Sequence, residues 1–240
     1  RAGLRPAGST WDRMAAMRKM TRRALRRAKR LLLPGIHQGS SKTGLDRYPE
    51  IFSGAAAAFP DARRILSFGC STGEECVSLK EYFPQAEIIG TDINPLSVWQ
   101  ARQRYASTRL SFVRARDRAL SSRGPFDIIF CLTVLRDSRL DKESSIRDSY
   151  PFDRFDERVR FLHSLLRPGG VLAFYGNMYR FRDTSVARDY EVIPLTHTPV
   201  GENITFARDG RNDGVQYLDA LFRKKAARAG SSADAAAATP

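Results

Sequence analysis

Short apolar runs alternate with amphipathic stretches between residues 60 and 176. Five runs have the length and composition of strands: 65–68, 87–90, 110–114, 126–132 and 171–175. Apolar residues at helical spacing predict helices over 45–59, 73–83, 95–105 and 153–166. Strands that alternate with helices in this way form a parallel sheet with right-handed crossovers. The sequence therefore predicts an α/β fold.

The last third of the chain has a different pattern. Residues 191–195 and 215–223 are strand-like, and a stretch rich in Gly, Asn and Asp separates them. Such a stretch predicts a long connection between antiparallel strands. Residues 226–240 are rich in Ala, Ser and Gly, and we expect a disordered tail there.

The loop after the first predicted strand carries two glycines. Residues 65–79, ILSFGCSTGEECVSL, place Gly69 at the end of the strand and Gly73 at the start of the helix. In a parallel sheet a ligand lies beyond the carboxyl ends of the strands, where glycine lets it approach the backbone. Asp92 ends the second apolar run 23 residues after Gly69, where it can accept hydrogen bonds from a ribose. This order predicts a nucleoside cofactor site.

The same residues also have a purely structural interpretation. Ser71 or Thr72 would cap the helix, with Glu74 or Glu75 three residues further on as in a capping box. The glycines would then only make a tight turn, and Asp92 would only begin the next helix. The pairing of the loop with the acid, together with the later strands, favours the cofactor site.

The net charge of +14 is concentrated in an N-terminal arm. Residues 1–34 contain eleven Lys and Arg against the single acid Asp12, so they hold +10 and the other 206 residues hold +4. Apolar residues recur at helical spacing over 11–33, which predicts a basic amphipathic helix. This helix has four alternative roles: packing on the domain, docking on an anionic membrane surface, contact with RNA phosphates, or covering the substrate as a lid. An Arg-rich organelle-targeting segment is a further alternative.

Length and composition predict one domain over 45–225, joined to the arm by a linker at 35–44. No apolar run reaches the roughly 18 residues needed to span a bilayer. The three cysteines and three histidines are scattered without metal-ligand spacing. We therefore expect a cytoplasmic protein without a metal, with peripheral membrane association through the arm as an alternative.

Five sequence blocks in a fixed order resemble the class I S-adenosylmethionine-dependent methyltransferases. They are LSFGCSTGEE at 66–75, GTDIN at 90–94, FVRARD at 112–117, PFDIIFCLTVL at 125–135 and LLRPGGVLAFYG at 165–176. The resemblance implies a Rossmann-like, doubly wound, seven-stranded, mostly parallel sheet with an antiparallel last strand. The cofactor loop is most similar to that of the chemotaxis receptor glutamate methyltransferases. Leu132 and Thr133 stand where those enzymes have an arginine and an asparagine.

The resemblance also implies which residues surround S-adenosylmethionine. In chain order the implied contacts are Gly69, Cys70, Ser71, Gly73, Glu74, Asp92, Ile93, Arg116, Asp117, Cys131, Leu132 and Thr133. Glu74 would meet the ammonium group, Asp92 the ribose hydroxyls and Ile93 the adenine. Asp117 would accept from the adenine amino group, although the adjacent Arg116 is also a candidate ion-pair partner. The last three residues of the set would line the pocket near the sulfonium.

Methyl transfer from a sulfonium is an in-line displacement, to which positioning of the acceptor contributes up to roughly 7 to 11 kcal/mol. A general base is needed only when the acceptor carries a proton of high pKa. The side chains expected to face the site and able to act as a base are Asp137, His163, Tyr175 and Tyr179. Tyr175 and Asn177 follow the fifth strand, where the fold presents substrate contacts. We predict Tyr175, Asn177 and Asp137 as catalytic residues.

The sequence thus predicts a methyltransferase whose acceptor is unidentified, either a small molecule or a protein carboxylate. Segment 136–156 is longer than an ordinary connection, which is typical of a lid or of a solvated surface insertion. Two alternative functions stay open. One is an RNA methyltransferase or an RNA- or membrane-binding protein that uses the basic arm. The other is a nucleotide-dependent oxidoreductase, although the loop at 69–73 lacks the G-x-G-x-x-G fingerprint.

Overall fold

The computed structural model describes residues 43–197, 199 and 204–226. The predicted N-terminal arm lies outside these residues, as do nearly all of the predicted linker and tail. The boundaries predicted for those three segments therefore stay predictions. The described residues begin shortly before a helix and end shortly after a strand.

A seven-stranded sheet forms the centre of the described fold. Its strands are β1 (Arg64–Phe68), β2 (Glu87–Asp92), β3 (Leu110–Arg114), β4 (Phe126–Leu132), β5 (Leu166–Tyr175), β6 (Tyr190–Ile193) and β7 (Leu221–Lys224). Their order across the sheet is β3-β2-β1-β4-β5-β7-β6. The first five strands pair in parallel, and β7 lies antiparallel between β5 and β6. The predicted doubly wound sheet with an antiparallel last strand is confirmed.

Helices cover both faces of the sheet. In the described ranges the α-helices are α1 (Pro49–Ala58), α2 (Glu74–Tyr82), α3 (Pro95–Tyr105), α4 (Asp117–Ser121) and α5 (Phe152–Leu165). Asn94 caps α3 because its side-chain oxygen accepts from the Leu96 N–H at 3.1 Å, and Pro95 occupies the first helical position. The bounds predicted for α3, β3 and β4 are confirmed, whereas α4 has no counterpart among the predicted helices.

β1, β2 and β6 differ from their predicted bounds by one or two residues, and two strands differ by more. β5 begins at Leu166 rather than at residue 171, because Leu166 pairs with Phe126 and the register shifts before Val171. The RPGG segment, which predicts a turn, is therefore an irregularity inside a strand. β7 begins at Leu221 rather than at residue 215, so the end of the preceding connection is not part of the ladder.

The core consists of two layers, one on each face of the sheet. All seven residues of β4 are buried, as expected for a central strand that is covered on both sides. Phe130 of β4 belongs to the layer under α1, α2 and α3, and its neighbour Ile129 belongs to the layer under α4 and α5. Successive side chains along each strand therefore point to opposite faces and contribute to both layers of the core.

The carboxyl ends of β1, β2, β4 and β5 meet at one edge of the sheet. Phe68 of β1 pairs with Thr91 of β2, and Leu132 of β4 pairs with Tyr175 of β5. The segments that follow these strands therefore emerge side by side. In parallel sheets this edge is where ligands bind.

Candidate active site

The backbone of the loop after β1 is held against the end of β2. The N–H groups of Gly69 and Cys70 both donate to the Thr91 carbonyl, at 2.7 and 2.8 Å. Gly69 has a φ of +85° and Gly73 a φ of +100°, which residues with a side chain rarely adopt. Ser71 between them is also left-handed, with a φ of 51°. The backbone of the loop therefore requires glycine at both predicted positions.

Side chains of this chain fill the space beside each glycine. A Cβ on Gly69 would lie 2.6 Å from the Val134 side chain, and a Cβ on Gly73 would lie 3.0 Å from the ring of Phe112. The glycines thus allow the loop to pack closely on β3 and on the segment after β4. Their predicted contact with a cofactor stays a prediction.

The N-terminus of α2 differs from the predicted capping box. Gly73 is the N-cap residue, and no side chain caps the helix. The Thr72 hydroxyl donates instead to the Glu74 carboxylate at 2.7 Å, and Glu74 lies 3.9 Å from Arg104. The capping-box prediction is wrong because the helix begins after Gly73, later than a box based on Ser71 or Thr72 requires.

The Asp92 carboxylate joins the loop to the start of α3. Its Oδ2 accepts from the Ser71 N–H at 3.0 Å, and its Oδ1 accepts from the Asn94 N–H at 2.7 Å. Asp92 and the following Ile93 are half-buried at the end of β2. The structure therefore brings together the loop and the acid that the sequence pairs as a cofactor site.

Glu75 is a half-buried carboxyl group beside the same loop. Its Oε1 accepts from the Ser67 hydroxyl of β1 at 2.7 Å. Burial raises the pKa of Glu75 to about 7, while the hydrogen bond from Ser67 and the charge of Arg47 act to lower it. The sequence pattern predicts Glu75 only as a residue of the helix cap. The available signal is Ser67, the polar residue in the buried part of strand β1.

The thiols of Cys70 and Cys131 are buried and stay protonated at neutral pH. A hydrogen bond with Cys76, together with burial, raises the pKa of Cys70, and burial raises the pKa of Cys131. Neither thiol is therefore poised as a nucleophile. Cys131 and Leu132 lie within β4 and pack on opposite faces of the sheet, whereas Thr133 extends past the end of the strand.

Asn177 links the ends of β4 and β5 from inside the core. Its Oδ1 accepts from the N–H groups of Leu135 at 2.8 Å and Val134 at 3.2 Å. Its Nδ2 donates to the carbonyls of Cys131 at 3.0 Å and Tyr175 at 3.2 Å. These contacts use the full hydrogen-bonding capacity of the amide, which is 2% exposed. The side chain positions the two strand ends, and its catalytic role stays a prediction.

Tyr175, Tyr48 and Thr133 lie together at the ends of β4 and β5. The ring of Tyr175 packs edge-on against that of Tyr48 with centroids 6.0 Å apart, and the Tyr48 hydroxyl is hydrogen-bonded to the Thr133 hydroxyl. Burial and Tyr48 raise the pKa of Tyr175, whereas the charge of Arg136 acts to lower it. At neutral pH Tyr175 is therefore a hydrogen-bond donor rather than a base.

The other predicted bases are engaged with partners. Asp137 is buried and forms an ion pair with Arg139, whose Nε lies 2.6 Å from Oδ1. The Tyr179 hydroxyl donates to a backbone carbonyl in the core. His163 Nδ1 lies 3.1 Å from the Tyr190 hydroxyl, and burial lowers the pKa of His163.

Arg116 and Asp117 are exposed at the start of α4. Asp117 forms an ion pair with Arg158 of α5 at 2.7 Å, so its partner is not the adjacent Arg116. The interpretation of Arg116 as the ion-pair partner of Asp117 is wrong, because α5 brings a more distant arginine to the carboxylate. The adenine contact assigned to Asp117 stays a prediction.

Segment 136–156 packs against the connection that precedes β7. The Ile146 N–H donates to the Gly210 carbonyl at 2.8 Å, and the Asn212 N–H donates to the Ser144 carbonyl at 2.9 Å. At the start of the segment, Arg136 follows Leu135, whose N–H donates to Asn177 Oδ1 just after β5, and the charge of Arg136 acts to lower the pKa of Tyr175. The segment therefore borders the Tyr175 cluster.

Within residues 43–197, 199 and 204–226, no group of three or more His, Cys, Asp and Glu side chains is arranged to hold a metal ion. In the same ranges no helix has the length and apolar character needed to cross a bilayer.

The family model described as a methyltransferase domain matches residues 66–172. Trans-aconitate 2-methyltransferase from Azoarcus sp. (strain BH72) is 30% identical over 119 residues, which are 50% of this chain and 41% of that protein. Demethylmenaquinone methyltransferase from Deinococcus radiodurans is 29% identical over 132 residues, which are 54% of this chain and 49% of that protein. The chain thus spans less than half the length of these two curated relatives.

Among solved structures, the S-adenosylmethionine-bound amino pentose methyltransferase CalS10 from Micromonospora echinaspora is 24% identical, with a TM-score of 0.42. The similarity covers 55% of this chain and 50% of that one.

The matched residues include the loop after β1, Asp92 and the five parallel strands. The match contradicts the oxidoreductase alternative, since the family is one of methyltransferases and the loop lacks the dinucleotide fingerprint. Residues 66–172 therefore match a methyltransferase domain, and the seven-stranded sheet with its antiparallel β7 is the fold that the resemblance to the class I S-adenosylmethionine-dependent methyltransferases implies.

Proposed function

We propose that the protein methylates a small organic molecule bound at the carboxyl ends of β4 and β5. The observation that carries this proposal is the loop at 69–73, which is tied to the Thr91 carbonyl and the Asp92 carboxylate at the end of β2. By their names, the two curated relatives methylate trans-aconitate and demethylmenaquinone, which are both small molecules.

The residues at this edge suit S-adenosylmethionine chemically. Asp92 is an acceptor suited to ribose hydroxyls, and Ile93 offers an apolar contact to adenine. Glu75, whose pKa burial raises to about 7, is a carboxyl whose ionised form a cation such as the methionine ammonium would stabilise. Glu74 is the other candidate for this contact. When bound, S-adenosylmethionine supplies an electrophilic methyl group on a sulfonium, whose C–S electron pair stays on sulfur as the acceptor's lone pair forms the new bond.

The engaged bases favour an acceptor that needs no deprotonation. Asp137 is held by Arg139, Asn177 is saturated by backbone groups, and burial keeps Tyr175 protonated. Of these side chains, Tyr175 has a hydroxyl without a hydrogen-bond partner in the described residues, so it can orient an acceptor. All three are poorly suited to removing a proton of high pKa.

The finer resemblance, to the chemotaxis receptor glutamate methyltransferases, stays a prediction about the cofactor loop. Leu132 and Thr133 replace the arginine and asparagine of those enzymes. The small-molecule relatives favour a small acceptor over a protein glutamate.

Calorimetric titration of the full chain with S-adenosylhomocysteine tests the cofactor site. We expect Asp92→Ala to weaken binding by about 10- to 100-fold, since a hydrogen bond to a charged group contributes about 1.5 to 3 kcal/mol. Asp61→Ala is the matched control because Asp61 is exposed and outside the site. Equal affinities for the wild type and Asp92→Ala would refute the assignment.

The +10 charge of residues 1–34 favours a second candidate function, attachment to an anionic surface of membrane lipid or RNA. Such binding should weaken steeply with salt and should be unchanged in Asp92→Ala. Co-sedimentation with phosphatidylserine vesicles, and gel shift with an RNA duplex, distinguish the two surfaces. Binding that is insensitive to salt would argue against both.

A further inference from the structure

We propose that Tyr175 and Arg136 bind a carboxylate group of the methyl acceptor, so that the substrate class is a carboxylic acid. The inference deepens the proposed function and rests on it. It adds a subsite for the acceptor to the loop and acid that would hold the cofactor.

The first observation is the Tyr175 hydroxyl. The residue is 6% exposed, and its hydroxyl has no hydrogen-bond partner among the residues that the structure describes. Buried hydroxyl groups in folded proteins are nearly always hydrogen-bonded, so this one lacks an acceptor atom. Because Tyr175 ends β5 at the ligand-binding edge, a bound molecule can supply that atom.

The second observation is the guanidinium beside it. The Arg136 side chain is 12% exposed, lies 2.8 Å from Asp141 Oδ2 and donates to the Ile204 carbonyl at 3.2 Å. A guanidinium has five N–H donors, and these two contacts use two of them. Arg136 follows Leu135, whose N–H donates to the same Asn177 amide that bonds to the Tyr175 carbonyl, and its charge acts to lower the pKa of Tyr175. The hydroxyl and the guanidinium therefore offer donors to one anionic group.

The Tyr48 ring contacts the ring of Tyr175, and the Thr133 hydroxyl is bonded to Tyr48. The Tyr48 hydroxyl bonds to Thr133, and a Cβ on Gly176 would lie 2.5 Å from Thr133 Oγ1. Thr133 is therefore packed directly against the backbone after β5. Arg47, over the Tyr48 ring at 5.1 Å, adds a second positive charge beside that ring.

A carboxylate can accept hydrogen bonds from Tyr175 and Arg136, and it can be methylated without a general base. One carboxylate oxygen accepts from the Tyr175 hydroxyl, while the other forms a bond to the methyl carbon as the methyl–sulfur bond breaks. The products are a methyl ester and S-adenosylhomocysteine, and no proton is transferred. The reaction therefore needs none of the bases that are engaged elsewhere in the site.

A carboxylate at this edge has two sources, the acceptor and the methionine portion of the cofactor. The position of Tyr175 at the end of β5, paired with Leu132 at the end of β4, favours the acceptor, since the loop at 69–73 lies at the ends of β1 and β2. Titration with S-adenosylhomocysteine distinguishes them, because only the cofactor's own carboxylate would make its affinity depend on Tyr175.

The experiment compares the full-length wild type with Tyr175→Phe, which removes only the hydroxyl oxygen. Tyr82→Phe is the matched control, because it removes an exposed hydroxyl that bonds to Asp46 at 2.8 Å and not to Tyr175 or Arg136. Each protein, saturated with S-adenosylhomocysteine, is titrated with succinate, dodecanoate, trans-aconitate and the neutral trimethyl ester of trans-aconitate. Any acid that binds is then incubated with methyl-labelled S-adenosylmethionine, and the product is treated with mild base.

We expect at least one acid to bind while the ester does not, and Tyr175→Phe to weaken the acid by about 10- to 100-fold. The affinity for S-adenosylhomocysteine and the urea midpoint should match those of the wild type, and base should release the label as methanol. Absence of binding by all three acids would overturn the subsite, as would equal acid affinity in Tyr175→Phe or a base-stable label. Weaker binding of S-adenosylhomocysteine by Tyr175→Phe would reassign the subsite to the cofactor. Failure of the wild type to bind S-adenosylhomocysteine would instead overturn the proposed function.

Discussion

Asn177→Asp separates a positioning role from a catalytic role at the junction of β4 and β5. The substitution keeps the shape of the side chain and the Oδ1 acceptor for the Val134 and Leu135 N–H groups. It replaces an amide donor by an oxygen that faces the Cys131 carbonyl at the present 3.0 Å and the Tyr175 carbonyl at 3.2 Å. Two buried hydrogen bonds are lost, and acceptors are left facing one another. We expect a cost of about 2 to 5 kcal/mol at pH 8.

The loss of stability in Asn177→Asp should increase with pH. Only the protonated acid can donate to a carbonyl, so folding raises the pKa of the new carboxyl above its unfolded value of about 4. The stability contributed by the protonated carboxyl group is fully present below the unfolded pKa of about 4. It is lost as the pH rises through the higher pKa of the folded protein. The deficit relative to wild type should therefore be smaller at pH 5 than at pH 8.

Urea denaturation at both pH values measures this deficit. Asn94→Asp is the matched control, since the Asn94 side chain acts as an acceptor at the N-cap of α3 and aspartate serves equally well there. An unchanged midpoint for Asn177→Asp at pH 8, with methyl transfer reduced, would refute the positioning argument and support the predicted catalytic role.

Three further predictions concern the loop after β1. Gly73→Ala should destabilise the fold by about 1 to 3 kcal/mol, because φ is +100° and the new Cβ would lie 3.0 Å from Phe112. Thermal unfolding measures this, and an equal loss in Gly169→Ala, where φ is +75° but nothing lies within 4 Å, would show that packing plays no part. The raised pKa of Glu75 makes stability fall as the pH rises from 4.5 to about 7, by up to about 3 kcal/mol. Glu75→Gln should flatten this slope in urea titrations between pH 5 and 8, and an unchanged slope would contradict the assignment. If the ammonium group of S-adenosylmethionine lies beside Glu75, saturation with S-adenosylmethionine should lower the pKa of Glu75. NMR titration of the Glu75 carboxyl carbon measures this pKa, and an unchanged or higher pKa would contradict the contact.

Local patterns predict the elements whose ends are determined by neighbouring residues. β4 is a run of seven residues, apolar except for Asp127, between Pro125 and Thr133, and α3 begins at Pro95 behind a capping asparagine. The start of β5 escapes prediction because RPGG has the composition of a turn, while its place in the ladder depends on the pairing of Leu166 with Phe126 across the sheet. The five-residue helix α4 is too short to show a period.

The residues of the candidate site also fall into those that local sequence predicts and those that it does not. The loop at 69–73 and Asp92 are predictable because a strand, a turn and the next strand place them together within one βαβ unit. The partner of Asp117 is 41 residues away in sequence, and the edge-on contact of Tyr48 with Tyr175 joins a segment before β1 to the end of β5. Such contacts depend on how layers pack, which spacing along the chain does not encode.

The position of β7 between β5 and β6 has a consequence for how this protein can diversify. Ile193 at the end of β6 pairs directly with Leu221 at the start of β7, so the chain between them leaves and re-enters the sheet at one point. The entropic free-energy cost of closing such a loop grows slowly, by about 0.6 kcal/mol for each doubling of the loop length. Insertions and deletions there leave the strand register intact, while they alter the chain that packs on segment 136–156 beside the proposed acceptor site. The topology thus provides a place where substrate preference can change at little cost to the stability of the cofactor domain.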